Sequence, residues 1–371
     1  MTDTQRSTPL LGEHQVLKAK LVPYAGYQMP IQYPTGIQAE HQAVRQAAGL
    51  FDVSHMGEVY VDGSDALELV QTVAVNDAST LEVGQAQYSA MCADDGTVVD
   101  DLLVYRVGES RYLLVVNASN RDEDVAWIRK HGKGMKAKVH DRSDETGLVA
   151  LQGPLAQQIL APLTDLELDD VGFYRFAFGR VMGVESLVAR TGYTGEDGFE
   201  VYHPADRSVD VWRGILDQGK DDGLIPAGLG ARDSLRLEVG YPLYGNDLDR
   251  EHTALESALG WVVKLDKRKG FVGREALAKQ KEEGVPRRLT GIRLTERGFP
   301  RPGYPVVVDG QEVGTVTSGT MSPTLGVGIG LARLPTELAA PDTEVAVRIR
   351  NRDVPAVVQR PPFYKDGSLR R

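Results

Sequence analysis

A loop punctuated by glycines and held between two apolar runs constrains the fold of this chain more than any other stretch. It spans residues 190–200 and reads RTGYTGEDGFE. Residues 184–189 have the β-branched and apolar density of a buried strand, and residues 199–202 alternate as a strand does. Glycine adopts backbone conformations that other residues avoid, so the loop can turn tightly or admit a ligand close to its main chain. The pattern predicts two neighbouring strands joined by a tight loop.

The side chains of this loop fit two interpretations. Tyr193, Glu196, Asp197 and Glu200 place an aromatic ring and three carboxylates within a few residues. Taken alone, such a loop is most often an ordinary hairpin whose acidic residues lie in water. The same residues also suit a site for a flat, hydrogen-bonding ligand, and other parts of the chain favour that hypothesis.

Composition and charge exclude several classes of protein. The chain has 371 residues, enough for two or three compact units, and a formal net charge of −10. This charge, without a basic stripe, argues against nucleic-acid binding. A single cysteine, Cys92, excludes an intramolecular disulfide and a multi-cysteine metal site, so we expect a buried thiol. No apolar run approaches membrane-spanning length and no signal-peptide core is present, so we expect a cytoplasmic protein without membrane contacts.

An apolar strand with two aspartates at its middle is the second candidate feature. Residues 97–105 read TVVDDLLVY and follow a DDG turn signal. Strand side chains alternate between two faces, so Asp100 and Asp101 must point in opposite directions, one of them among apolar neighbours. A carboxylate there needs partners or a shifted pKa, which fits either a functional acid or base or a hydrogen-bonded structural aspartate. Asn117, at the end of the next predicted strand, can both donate and accept hydrogen bonds.

Two predicted helices and their flanks supply further candidates. Residues 36–48 predict a helix with His41 on its apolar face, as a partly buried structural residue. His55 is expected to be a hydrogen-bonded structural residue rather than a catalyst, and Met56 to be core or the flexible wall of a pocket. Arg232 lies near the start of the second helix, where a cation opposes the helix dipole. A carboxylate or ligand that it clamps would explain this position, although an ordinary surface arginine also fits.

The residue pattern of the sequence changes from Pro286 onward. Short β-branched runs alternate with Gly and Pro turns, which predicts a small C-terminal β-barrel after a linker at residues 279–285. The sequence contains no phosphate-binding loop, no GxGxxG fingerprint and no nucleophile elbow.

Motifs spread over most of the chain resemble those of one known family. In order they read LFDVSHMGE, GTVVDDLLVYR, LQGP, TGYTGEDGFE, GLGARDSLRLEVGYPLYGND, GTVTSGTMSP and PPFYK. They are similar to the motifs of the glycine cleavage system T protein family, and the resemblance covers about residues 8–365. It implies an α+β fold in which three domains form a cloverleaf around a central folate-binding funnel. The implied domains are a discontinuous α+β domain (residues 1–50 plus 141–275), an inserted α+β domain (51–140) and a C-terminal β-barrel domain (286–371).

The resemblance also implies a reaction, that of an aminomethyltransferase. The methylene carbon of aminomethyl-dihydrolipoyl H protein would pass to tetrahydrofolate, giving 5,10-methylenetetrahydrofolate, ammonia and the reduced lipoyl arm. Tetrahydrofolate is then the co-substrate and the lipoylated H protein is the partner. Neither a metal nor a covalent enzyme nucleophile is required.

The site residues of the family correspond to candidates in this chain. Asp101 matches the essential carboxylate, with the implied role of hydrogen-bonding the folate nitrogens and polarising the attacking amine. Glu200 matches the acceptor for the N–H groups of the pterin, and Arg232 matches the cation that completes the clamp. The other implied folate-binding residues are Met56, Tyr88, Asn117, Tyr193 and Tyr241.

Two departures from the family pattern affect the site. Many relatives carry a tyrosine in the stretch that reads GFYRF here, and the sequence does not decide whether Phe173 or Tyr174 faces the pocket. Many relatives also carry an arginine after PFYK, whereas this chain has Asp366, with Arg370 and Arg371 only at the end. The sequence therefore does not decide whether an arginine near the C-terminus contacts the ligand.

Two related functions remain as alternatives. A folate-dependent demethylase of the same superfamily would share the fold and the pterin clamp but use a methylated sulfur or nitrogen compound as donor. A non-catalytic folate-binding protein of iron–sulfur cluster maintenance would carry a cysteine in a KGCYxGQE-like motif. The corresponding residues here, 269–275, read KGFVGRE and contain no cysteine, which argues against that second alternative.

Overall fold

The computed structural model describes residues 5–370 of the chain. Its α-helices are α1 (Leu11–Val16), α2 (Ile37–Gln46), α3 (Ala66–Val73), α4 (Arg121–His131), α5 (Ala156–Leu160), α6 (Ser208–Gly219), α7 (Leu229–Val239) and α8 (Arg274–Glu283). Its strands are β1 (Arg6–Ser7), β2 (Lys20–Tyr24), β3 (Tyr27–Gln32), β4 (Gly49–Asp52), β5 (Gly57–Asp62), β6 (Ala86–Cys92), β7 (Val98–Gly108), β8 (Arg111–Val116), β9 (Lys138–Asp141), β10 (Thr146–Gln152), β11 (Phe176–Val181), β12 (Val184–Ala189), β13 (Gly198–Pro204), β14 (Ile225–Pro226), β15 (Arg287–Leu294), β16 (Pro305–Val308), β17 (Gln311–Met321), β18 (Gly328–Pro335), β19 (Glu344–Ile349) and β20 (Arg352–Val358).

A six-stranded sheet, called sheet A here, contains the two strands predicted around the glycine-rich loop. Its order is β11-β12-β13-β10-β4-β14, and β12 and β13 pair antiparallel. Side chains alternate along β13, so Phe199 and Val201 pack into the core that includes α5 and α6. Glu200 and Tyr202 consequently belong to the opposite face of the sheet. This alternation determines which way Glu200 points.

A five-stranded sheet, called sheet B here, contains the strand with the two aspartates. Its order is β6-β7-β8-β5-β9. Along β7, Leu102 and Val104 pack in the core that includes α3 and α4, whereas Leu103 and Tyr105 pack in the core between the two sheets. Asp101 therefore shares the face directed at sheet A. Asp100 is paired across the strands with Met91, which packs in the core that includes α3 and α4, so the prediction that Asp100 and Asp101 point in opposite directions is confirmed.

The C-terminal strands form a closed barrel in the order β15-β18-β17-β16-β19-β20, as predicted. Its interior is filled by aliphatic side chains from alternating strand positions. The predicted linker at residues 279–285 is wrong, because α8 continues to Glu283. Alanine, lysine, glutamine and glutamate are strong helix formers, and the local propensity accounts for this helix.

The packing of the two sheets against each other creates the central space of the molecule. Their shared core includes Val53, Leu113 and Leu187. A small sheet, in the order β1-β3-β2, packs next to α7 through Met29 and Leu229. The predicted α+β fold with a C-terminal barrel is confirmed. The division at residues 50, 141 and 275 stays a prediction. The barrel takes all its strands from the predicted C-terminal unit, whereas β4 of sheet A crosses the predicted boundary at residue 50 and β9 of sheet B reaches residue 141.

Candidate active site

A cavity of about 1220 Å³ lies between sheet A, sheet B and one end of the barrel. The structure places all eight predicted site residues on its wall, although their roles stay predictions. They are Met56, Tyr88, Asp101, Asn117, Tyr193, Glu200, Arg232 and Tyr241. Residues separated by more than a hundred positions in sequence thus line one space.

Asp101 is held on both of its carboxylate oxygens. The Tyr88 hydroxyl, from β6, donates to Oδ2 at 2.8 Å, and the Asn117 amide, just beyond β8, donates to Oδ1 at 2.8 Å. Burial and the neighbouring charge of Asp100 raise the pKa of Asp101 to about 7. A carboxyl group with this pKa can both accept and donate a proton near neutrality.

Glu200 and Arg232 form the opposite polar end of the cavity. Glu200 is 9% exposed, and the Thr191 hydroxyl donates to its Oε2 at 2.5 Å. Burial raises the pKa of Glu200, against the lowering effects of the Thr191 hydrogen bond and the Arg232 charge. The Arg232 guanidinium lies 4.6 Å from the centroid of the Tyr193 ring. Within residues 5–370, no hydrogen bond or ion pair engages the Arg232 side chain, so its donors are available to a ligand.

Aromatic rings form two walls of the cavity. Tyr193 and Tyr241 stack with centroids 5.7 Å apart and planes 29° apart, and the Tyr193 hydroxyl donates to the Pro242 carbonyl oxygen. On the other wall, Tyr88 stacks on Trp261 with centroids 5.9 Å apart and planes 17° apart. Flat rings in these positions suit a flat ligand.

Trp261 is a cavity residue that the sequence analysis missed. The residue is 65% exposed, although its ring stacks on that of Tyr88, the tyrosine that holds Asp101. It lies in the segment between α7 and α8, where no periodic pattern marks its position. Single exposed apolar residues are common on protein surfaces, but an exposed aromatic ring on the wall of a cavity, stacked on a second ring, suits a binding site. The sequence alone does not reveal exposure, so this signal could not have been used.

The sequence did not decide whether Phe173 or Tyr174 faces the pocket, and in the structure both of them do. Each lines the cavity, Phe173 at 50% exposure near its mouth and Tyr174 half-buried. Their rings contact edge to face with centroids 4.7 Å apart. Burial, with nearby Tyr241 and Glu200, raises the pKa of Tyr174, so its hydroxyl stays protonated.

Both histidines singled out in the sequence are buried. His41 hydrogen-bonds to the hydroxyls of Ser234 and Thr324, each at 2.8 Å, so it is a structural residue, fully rather than partly buried. The expectation that His55 is hydrogen-bonded is wrong, since neither ring nitrogen has a partner among residues 5–370. Burial and the Arg232 charge lower the pKa of His55 to about 4, which keeps the ring neutral. It lies on the cavity wall.

Only one of the three carboxylates in the glycine-rich loop faces the cavity. Asp197 pairs with Arg190 at 2.5 Å, and Glu196 pairs with buried Arg45 at 2.8 Å. Gly195 has a φ of +79°, and a Cβ there would lie 2.3 Å from the Val239 side chain. The glycine thus permits the close approach of loop and helix, while two carboxylates anchor the loop and leave Glu200 for a ligand.

The C-terminal segment packs against this same loop. Ser368 donates through its backbone N–H, at 2.7 Å, and its hydroxyl, at 2.6 Å, to Glu196 Oε2. Asp366, which stands near the family's arginine position, does not line the cavity, whereas Arg360 does. Arg371 lies outside the described residues, as does the side chain of Arg370. A terminal arginine contact to the ligand therefore stays untested.

The single cysteine does not line the cavity. Cys92 is buried as predicted, and burial raises the pKa of its thiol to about 12. Residues 5–370 contain no group of three or more histidine, cysteine or acidic side chains arranged to hold a metal ion. No helix in that range combines the length and apolar character that crossing a membrane requires.

Taken together, the fold and the site define a class of protein in which two sheets and a barrel enclose a cavity with aromatic walls, a carboxyl–arginine end and an aspartate whose pKa is raised. Two protein-family models match the chain. The model described as the GCVT N-terminal domain matches residues 10–267, and the glycine cleavage T-protein C-terminal barrel domain matches residues 287–365. The chain belongs to the glycine cleavage T-protein family, as the sequence motifs predicted.

Individual relatives are similar over nearly their full length. An aminomethyltransferase from Moorella thermoacetica is 51% identical over 360 residues, which cover 97% of this chain and 98% of that protein. One from Halothermothrix orenii is 48% identical over 358 residues, covering 96% and 99%. The crystal structure of the glycine cleavage system aminomethyltransferase T from Bartonella henselae matches with a TM-score of 0.92 and 32% identity, covering 98% of this chain and 99% of that one.

Proposed function

We propose that this chain is an aminomethyltransferase of the glycine cleavage system and that its cavity binds tetrahydrofolate as acceptor of the transferred carbon. One observation carries the proposal. A single cavity joins Asp101 on sheet B with Glu200 on sheet A and Arg232 on α7, in a chain of the T-protein family. The names of the relatives from Moorella thermoacetica and Halothermothrix orenii support the transferase assignment.

The carboxyl–arginine end of the cavity suits a reduced pterin. A pterin is flat and presents an amidine edge whose N–H groups need an acceptor. Glu200 is a buried acceptor for such groups, and Arg232 offers donors that no described residue uses. Tyr193 and Tyr241 form a plate beside them. This combination of one acceptor, one donor fork and aromatic surface supports folate as the ligand.

The proposed reaction balances without an oxidant or a reductant. The bonds from the methylene carbon to the amino nitrogen and to the lipoyl sulfur break, and bonds from that carbon to two folate nitrogens form. Each folate nitrogen loses one proton; one of these protons leaves with ammonia and the other remains on the lipoyl sulfur. The enzyme needs to hold the reacting atoms together and to move a proton.

We propose that Asp101 moves that proton. It is half-buried on the cavity wall, and its orientation is fixed by Tyr88 and Asn117. With a pKa near 7, its carboxyl can take a proton from the attacking nitrogen and give one to the departing amine. The aspartate thereby combines positioning with acid–base work, and no covalent enzyme intermediate is involved.

We also propose that the lipoylated H protein delivers the aminomethyl group through the cavity mouth. Phe173 and Trp261 are the exposed aromatic residues there, at 50% and 65% exposure. A cytoplasmic location is proposed on the composition, since a single buried cysteine is typical of a reducing compartment. The three-domain division stated above is part of the same proposal.

The experiment that tests the function supplies tetrahydrofolate together with one of two donors. With aminomethylated H protein we expect ammonia and 5,10-methylenetetrahydrofolate in equal amounts. With a methylated amine and no H protein we expect neither. Folate binding with product only from the methylated amine would support the demethylase alternative. Folate binding without product from either donor would support the non-catalytic alternative.

A further inference from the structure

One buried imidazole on the cavity wall has no hydrogen-bond partner in the protein. His55, in the loop between β4 and β5, is 2% exposed and lines the cavity. Its Nδ1 atom is fully enclosed, yet neither Nδ1 nor Nε2 is hydrogen-bonded to any residue in the range 5–370. Buried polar atoms are rarely left unpaired in folded proteins, because the lost hydration is not replaced. An unpaired ring in this position points to a partner outside the protein chain.

The other buried histidines of the described range show the contrast. They are His14, His41 and His203, and each is hydrogen-bonded through both ring nitrogens. His14, for example, contacts Asp52 Oδ2 through Nε2 and the Tyr33 hydroxyl through Nδ1, each at 2.9 Å. None of the three lines the cavity. The fold thus supplies partners to its structural histidines and leaves the histidine on the cavity wall without one.

The ring of His55 is held between two tyrosines of the hairpin β2–β3. Tyr24 contacts it edge to face with centroids 5.6 Å apart, and Tyr27 does so with centroids 6.4 Å apart. The hydroxyl of the preceding residue, Ser54, is committed elsewhere, since it donates to the Leu148 carbonyl oxygen at 3.1 Å. The packing therefore orients the ring, and its hydrogen-bonding capacity stays available to a ligand.

The same hairpin places His55 at the carboxyl–arginine end of the cavity. Tyr27 packs in one cluster with Leu229, the first residue of α7. Arg232 follows Leu229 by three residues, which places both on the same side of the helix. His55 and Arg232 both line the cavity, and the Arg232 charge contributes to the lowered pKa of His55, in agreement with this proximity. The two side chains therefore belong to one end of the cavity.

The enclosure of Nδ1 decides which nitrogen of His55 meets a ligand. Nε2 is not among the enclosed atoms, so it is the nitrogen that the cavity reaches. In a neutral imidazole one nitrogen carries the proton and the other is an acceptor. Orphaned N–H groups are rarer in folded proteins than orphaned acceptors, so the enclosed Nδ1 is the acceptor and Nε2 carries the proton. The ring then presents an N–H donor to the cavity.

We propose that His55 is a further ligand-binding residue, which donates from Nε2 to the ring carbonyl oxygen of the pterin. On a pterin, this carbonyl oxygen lies beside the N–H groups that are assigned to Glu200. One edge of the ligand thus presents donors to Glu200 and an acceptor to His55 and Arg232. The contact favours a ring carbonyl over a ring amino group, which offers these donors no acceptor. The inference rests on the proposed function, because tetrahydrofolate is the ligand.

The test is calorimetric titration of tetrahydrofolate into native protein, His55→Phe and His55→Gln. Phenylalanine keeps a flat ring but removes the donor, so the Kd should rise about fivefold. Glutamine can place an amide nitrogen near the position of Nε2, so it should restore the Kd to within about twofold of the native value. His140→Phe, at an exposed position on β9, is the matched control and should leave the Kd unchanged.

A second ligand separates hydrogen bonding from ring packing. The 4-amino analogue of tetrahydrofolate carries an amino group in place of the ring carbonyl oxygen. His55→Phe should change the Kd of this analogue less than about twofold, because the donor that is removed has no acceptor there. Equal losses for both ligands would overturn the proposal, since His55 would then act through packing alone. An unchanged Kd for tetrahydrofolate in folded His55→Phe would overturn it as well.

Nitrogen NMR of native protein labelled on its histidine rings needs no variant that must fold. At neutral pH, one neutral ring with its proton on Nε2 should shift when tetrahydrofolate is added. A responding ring protonated on Nδ1, or no neutral ring that responds at saturation, would overturn the proposal. Native protein that does not bind tetrahydrofolate would refute the proposed function and this contact together. Binding and carbon transfer without the predicted effects of His55 would refute the contact alone.

Discussion

Replacing Glu200 by glutamine tests the acceptor at the carboxyl–arginine end of the cavity. The substitution keeps the shape of a side chain that is 9% exposed on β13, and it retains an acceptor for the Thr191 hydroxyl. It removes the charge and turns an NH₂ group toward the ligand. Hydrogen bonds to a charged group contribute about 1.5–3 kcal/mol each. We expect a loss near 2 kcal/mol, which is roughly a thirtyfold increase in Kd.

The assay is calorimetric titration of tetrahydrofolate into native protein, Glu200→Gln and Glu185→Gln. Glu185 is an exposed carboxylate on the neighbouring strand β12, paired with Arg180, so it controls for the loss of charge from the same sheet. Its substitution should leave the Kd unchanged. An increase of less than threefold for folded Glu200→Gln would refute the assignment of this residue as the pterin acceptor.

Two further predictions concern stability and the cavity mouth. Burial alone would raise the pKa of Glu238. The hydrogen bond and charge of His41 and the charge of Arg45 instead lower this pKa from 4.5 to about 2. This group should stabilise the fold by about 3 kcal/mol above pH 4.5 and lose that contribution as the pH falls toward 2. Urea unfolding of native protein and Glu238→Gln should therefore differ at pH 6 and converge near pH 2; a constant difference would contradict this. Trp261→Ala should raise the KM for tetrahydrofolate about fivefold with kcat retained, through lost aromatic contact, whereas an unchanged KM would exclude Trp261 from the binding site.

The sequence predicts the elements well where local pattern and tertiary packing agree. The predicted strand at residues 184–189 has the same bounds in the structure, because its apolar and β-branched residues pack on both faces of sheet A. The helix predicted at residues 36–48 is Ile37–Gln46. The linker predicted at residues 279–285 is wrong because the lysine, glutamine and glutamate residues of this polar run favour a helix, and α8 continues to Glu283.

The candidate site was predictable in part. The opposite orientation of Asp100 and Asp101 follows from strand alternation alone. The placement of Glu200 and Arg232 on one cavity wall came from the family resemblance, because no local pattern brings β13 and α7 together. The stacking of Trp261 on Tyr88 depends on a contact between distant segments. Such contacts leave no periodic trace in a single sequence.

The glycine-rich loop at residues 190–200 illustrates the same limit. Its glycines indicated a tight turn, and Gly195 does adopt a positive φ beside Val239. Its three carboxylates looked equivalent in sequence, yet Asp197 and Glu196 pair with arginines and only Glu200 reaches the cavity. The arginine partners of the two structural carboxylates come from the loop itself and from α2. Only the assembled fold separates anchoring residues from binding residues.

The measurement that most directly tests the account is single-turnover formation of ammonia from aminomethylated H protein and tetrahydrofolate, with native protein and Asp101→Asn side by side. The substituted amide keeps a partner for Tyr88 but cannot exchange a proton, so we expect the rate to fall by roughly a hundredfold or more while tetrahydrofolate still binds. Rapid ammonia release by Asp101→Asn at near-native rate would contradict the central claim that this carboxyl group moves the proton.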